Sequence, residues 1–130
     1  MNNPIQRVVA TPAARALVER LRGEHGAIYF YQSHGCCEGS APMCFAPGEM
    51  PLAADDLRLG EIDDVPFYAS RAQCEYLAGM ELTLDLAPGA SGSFSLEDGT
   101  GQRFVVRLRL WSDAEAGQLE SQPLAPAIPV

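Results

Sequence analysis

Residues 81–111 read ELTLDLAPGASGSFSLEDGTGQRFVVRLRLW. Apolar and polar residues alternate in three runs, the period of two that a strand shows when one of its faces is buried. ELTLDL turns Leu82, Leu84 and Leu86 inward, GSFSLE turns Phe94 and Leu96, and RFVVRLRLW turns Phe104, Val106, Leu108 and Leu110. Arg107 and Arg109 then fall on a solvated face. Asp98-Gly99-Thr100-Gly101 has the composition of a tight hairpin turn between the last two runs. Three sequential alternating strands favour an antiparallel sheet.

Upstream, the periodicity changes. TPAARALVERLRG (11–23) places Ala14, Leu17, Val18 and Leu21 on one helical face. Thr11 can cap the helix, Pro12 suits its first turn, and Gly23 or Gly26 can end it. AIYFYQ (27–32) reads as a buried strand. LRLGEIDDVPFYAS gives two short strands, Leu57–Ile62 and Val65–Tyr68, turning at Asp63-Asp64. Ser70 with Gln73 forms a capping-box pattern that opens a second helix, on which Cys74, Leu77 and Ala78 share a face. The expectation is an α+β fold, a mostly antiparallel β domain with two short helices. Residues 1–111 form the single folded domain, and 112–130, polar and then spaced by prolines, form a disordered tail.

Between the first strand and Asp56 the chain is dense in Gly, Pro and small residues, and it begins HGCCEGSAPMC (34–44). Three of the four cysteines stand in those eleven residues. The N-terminus has neither the basic start nor the apolar core of a signal peptide, so a cytoplasmic location with reduced thiols is expected. Clustered cytoplasmic thiols point to metal, cluster or redox chemistry rather than to a disulfide framework. Cys36, Cys37 and Cys44, with His34 or Glu38 as a further donor, could satisfy zinc, iron or copper, or part of an iron–sulfur cluster. Alternatively, Cys36 and Cys37 form a vicinal redox pair, one attacking and one resolving. The plainest reading is a tight turn in which cysteine packs as a small hydrophobe.

Other residues carry weaker signals. Cys74, on a helical face, reads as core, and His25 as a helix C-terminal residue. Ser91, Ser93 and Ser95 alternate on an outward face without a nucleophile-elbow context. Asp55-Asp56 and Asp63-Asp64 read as solvated turn residues, and Glu97 as a strand-end carboxylate. No phosphate loop or dinucleotide fingerprint occurs. Seventeen acidic against nine basic residues, a formal charge of -8, disfavour nucleic acid and anionic membranes as partners. No apolar run approaches the roughly 20 residues of a membrane span. Unpaired strand edges invite a second copy, so a homodimer is expected.

VVATPAA, HGCCEGSAPMC, LGEI, VPFYAS and GSFSLE, in this order over residues 7–111, resemble the bacterial domain-of-unknown-function family 779. That resemblance implies a small single-domain accessory protein, often encoded beside aldehyde or alcohol dehydrogenases, one of which would be its partner. It does not imply the acetaldehyde dehydrogenase activity sometimes attached to such chains, because no nucleotide-binding fold fits here. More distantly, the order of elements resembles the HesB-like A-type iron–sulfur carriers, whose first cysteine Cys36 or Cys37 would match. Their terminal C-G-C has no counterpart in DGTGQRFVVRLRLW. The resulting functional expectation is an accessory metal- or iron–sulfur-binding protein. A thiol redox protein or enzyme, or an interaction module with a structural loop, are the alternatives.

Overall fold

A computed structural model describes residues 6–32, 42–46, 52, 56–77, 79–89, 95–96, 100–120 and 125–126. The helix opened by Thr11 is α1, Pro12–His25. Thr11 Oγ1 accepts from the Ala14 N–H at 3.2 Å, and Pro12 sits where no N–H is needed. Gly26, at φ +78°, closes the helix with its N–H on the Arg22 carbonyl. Ala14, Leu17, Val18 and Leu21 are all buried, as the apolar stripe requires.

The strands build two sheets. In the smaller, β1 (Val8–Ala10), β6 (Met80–Pro88) and β7 (Gln102–Leu110) lie in the order β1-β6-β7. β1 runs parallel to β6, with Val8 opposite Leu82, and β6 runs antiparallel to β7 from Met80 opposite Leu110 to Pro88 opposite Gln102. The larger sheet has the order β3-β2-β5-β4-β8, from β2 (Tyr29–Gln32), β3 (Met43–Phe45), β4 (Leu57–Ile62), β5 (Val65–Ala69) and β8 (Ala125–Pro126). Only β1–β6 and β2–β5 pair in parallel among the described strands. The fold is α+β, with two further helices, α2 (Arg71–Leu77) and α3 (Asp113–Leu119).

The inner faces meet through aromatic rings. Phe30 stacks on Phe67, its parallel-strand neighbour, at 5.7 Å, and Phe104 of β7 stands edge-on to Phe30 at 4.9 Å. Leu82, Leu84 and Val106 complete this core with the α1 stripe. On the outer face of β6–β7, Arg107 pairs with Asp85, and Arg109 with Glu81 and Glu115. Leu110, expected inward, is 75% exposed, because it is the last residue of an outer strand, beyond the core.

Three further expectations change. The partner of β7 is β6 and not GSFSLE; of that run, only Ser95 and Leu96 are among the described residues, and neither is in a strand. Leu96 gives its N–H to the Cys44 carbonyl and Ser95 Oγ accepts the Cys44 N–H, so both dock beside β3. Ser95 is therefore buried rather than on an outward face. Beyond Ser112, where a disordered tail is expected, α3 forms on a complete capping box between Ser112 and Glu115, and β8 pairs with Leu57 and Arg58. No helix among the described residues is long and apolar enough to cross a membrane.

The sheets come closest where β1 crosses β4. A Cβ at Gly60 would lie 3.1 Å from Val8 Cγ2 and 3.2 Å from Val8 Cβ, at the point where the β4–β5 register shifts. Gly60→Ala should lower unfolding stability by about 1–3 kcal/mol through overpacking. In a Val8→Ala background the same substitution should cost much less, a coupling measurable by denaturant unfolding of the four-member cycle.

Surface carboxylates set the acid limit. Hydrogen bonds from Arg109 and the Ser112 backbone hold Glu115 down at about 2. Arg15 holds Asp63 below its ordinary range, and the Leu86 N–H, Thr11 and Arg107 do so for Asp85. Each folded-state value lies below the unfolded one, so the stabilisation is complete above about pH 5 and is lost as pH falls toward 2. The midpoint of thermal unfolding should drop over that window, and Arg109→Gln should flatten the drop.

Candidate functional site

The segment that holds most candidate ligands is anchored by β2 and β3. Antiparallel pairing of Tyr31 with Met43 brings its two ends together, so residues 33–41 leave and re-enter at one end of the larger sheet. His34, Cys36, Cys37 and Glu38 lie outside the described residues. Cys44 is described: it belongs to β3, is 0% exposed, and pairs with Phe30 on the core face. Its backbone is held on the far side by Ser95 and Leu96.

That end of the sheet is polar yet buried. Gln32, the last residue of β2, is opposite Ala69, the last residue of β5, and Ala69 is also opposite Leu57 at the start of β4. Asp56, just before Leu57, is only 3% exposed and accepts a 2.9 Å hydrogen bond from the Tyr31 hydroxyl. It is not the solvated turn residue its Asp-Asp context suggests. α2 begins one residue beyond Ala69, with Ser70 Oγ accepting from the Gln73 N–H, and Gln73 is also buried. Gln32, Asp56 and Gln73 thus gather at the strand ends from which the cysteine segment departs. Burying such groups is costly unless they are bonded, so their concentration marks a place where polar contacts are needed. Tyr31 is the part of this set that sequence alone hinted at, as an aromatic run entering the cysteines; Asp56 and Gln73 became visible only through strand register.

Asp63-Asp64 behave differently. Both have positive φ, +48° and +71°, in an exposed turn between β4 and β5. The Arg15 guanidinium makes two bonds to the Asp63 carboxylate, at 2.9 and 2.7 Å, and Arg22 donates to the Asp63 carbonyl. These bonds fasten α1 to the turn.

Cys74 lies apart from the sheet end, on α2, 2% exposed, with Sγ directed at the Ala69 carbonyl. Burial, reinforced by the Asp56 charge, pushes its thiol up to about 11. A protonated, enclosed thiol is neither a nucleophile nor a metal ligand near neutrality. Among the described residues no three His, Cys, Asp or Glu side chains gather as a metal site. Only roughly a thousandth of Cys74 would be thiolate at pH 8. Native protein treated with iodoacetamide should therefore remain unmodified at Cys74 while unfolded protein is labelled, as read by peptide mass spectrometry. Cys74→Ser should cost about 1–3 kcal/mol, from placing a hydroxyl in an apolar site.

The family model described as domain of unknown function (DUF779) matches residues 17–110. No curated protein has a significantly similar sequence. The match spans well over half of the chain, which belongs to this family.

Proposed function

We propose that this DUF779 member is an accessory protein that holds a soft metal ion, or part of an iron–sulfur cluster, on the thiols of the 34–44 segment. The observation that carries the reading is the coincidence of a dense donor set with a buried polar strand end. Cys36, Cys37 and Cys44, with His34 and Glu38, occupy eleven consecutive residues, tethered where Gln32, Asp56 and Gln73 are buried. Thiolates are the preferred donors of zinc, copper(I) and iron–sulfur clusters. Amide and carboxylate groups behind such ligands orient them and tune their basicity, the role open to Gln32, Gln73 and Asp56. An aldehyde or alcohol dehydrogenase is the proposed client, on the strength of the family resemblance. The adjacency of Cys36 and Cys37 favours one second reading, a reversible vicinal disulfide used as a redox switch.

Anaerobic and aerobic purification with elemental analysis decides between them. Bound zinc, iron or copper should be recovered, reduced severalfold by Cys36→Ser or Cys37→Ser and unchanged by Cys74→Ser. Less than about a tenth of an equivalent under both conditions would overturn metal binding, since structural thiolate sites hold their ions tightly. A two-hydrogen mass change on the Cys36–Cys37 peptide across set redox potentials, without metal, would instead establish the redox switch.

A further inference from the structure

A second concavity lies away from the cysteine segment and is independent of the thiol reading. It is a cleft of about 330 Å³ between the start of β1, α2 and the C-terminal helix α3, walled by Arg7, Leu59, Cys74, Trp111, Ala116 and Leu119. Leu59, Cys74 and Leu119 are buried and give it an apolar floor. Cys74 is uncharged there at neutral pH. The cation of the lining is Arg7, half-buried, with Nη2 donating to the Leu119 carbonyl at 3.3 Å. Burial lowers the Arg7 pKa, so the bare guanidinium is disfavoured by its surroundings and an anion would relieve it.

We infer that this cleft binds a small organic monocarboxylate, its carboxylate on the Arg7 guanidinium and its hydrocarbon part against Leu59, Leu119 and the Trp111 ring. A guanidinium fork matches a carboxylate with two parallel hydrogen bonds, and an apolar concavity with one placed charge is the usual form of a small-ligand site. Size limits the ligand: 330 Å³ equals roughly ten water volumes, so the tail is short. Charge limits it too. Glu120, exposed on α3, also borders the cleft and opposes a second negative charge, which selects a monoanion over a phosphate ester or dicarboxylate. The position of Arg7 is set by the fold, because its carbonyl accepts the Leu82 N–H in the β1–β6 pairing and its side chain reaches α3.

Trp111 is the single tryptophan of the chain, so its fluorescence reports the cleft. The full chain would be titrated at constant ionic strength with butyrate, hexanoate and benzoate, and with hexanamide as the neutral control. A saturable change is expected for hexanoate or benzoate, at least about tenfold tighter than for hexanamide, as loss of a charged hydrogen-bonding partner predicts. Arg7→Gln should weaken hexanoate by a similar factor, and Arg7→Lys should restore part of it. Ala116→Phe, which fills the cleft from exposed α3, should abolish binding with the thermal transition unchanged, and keeps the test decisive if Arg7→Gln does not fold. No saturable change with any acid, equal binding of acid and amide, or full affinity in Ala116→Phe would overturn the inference.

Discussion

The close passage of β1 over β4, Val8 against Gly60, is the contact on which the rest of the arrangement depends. β1 has only three residues, and it joins the smaller sheet by pairing in parallel with β6, more than seventy residues away in sequence. Such a strand cannot stand alone; it needs a covered face as well as a hydrogen-bonded edge. Absence of a side chain at Gly60 lets Val8 sit directly on β4, so one residue closes the space between two sheets. Everything hung from β1 follows. Thr11 takes its backbone bond from Leu84 and reaches Asp85, which sets the start of α1. Arg7, on the other side of Val8, is delivered to α3.

Elements with a complete local signature were legible. α1 carries cap, proline, stripe and terminating glycine within sixteen residues, and the structure has each of them in that role. β4 and β5 were marked by apolar residues flanking Asp63-Asp64, a sequence that tolerates the positive φ of a tight connection. What stayed hidden depends on partners distant in sequence. β3 is only three residues long and exists because Phe30 and its neighbours supply an edge. The alternation of GSFSLE reads as a third strand, yet Ser95 and Leu96 bond to Cys44, and alternation alone does not say which edge a segment meets. In α3 the signal was present, since Ser112 and Glu115 have capping-box spacing, but the proline-spaced residues after it outweighed it.

The same distinction governs the sites. A cluster of thiols is visible in one dimension, and so the 34–44 segment stood out at once. The groups behind it are not: Asp56 looks like half of a solvated Asp-Asp turn until the Tyr31 hydroxyl is found on its carboxylate. The cleft is less legible still, because its walls come from residues 7, 59, 74, 111, 116 and 119, none of which is unusual in its own stretch.

These two regions share one wall, and that wall is short. α2 has seven residues, and consecutive helical side chains diverge by about 100°, so Gln73 and Cys74 serve different surroundings. Gln73 is buried beside the strand ends that hold the cysteine segment, whereas Cys74 lines the cleft beneath Arg7. Asp56 links the two, because its charge acts on the Cys74 thiol while its carboxylate holds Tyr31. A neutral Cys74 is what allows this proximity. Were it a thiolate, it would add a second negative charge next to Asp56 and compete with any anion for Arg7, so the burial that keeps it protonated also keeps the guanidinium available as the charge of the cleft.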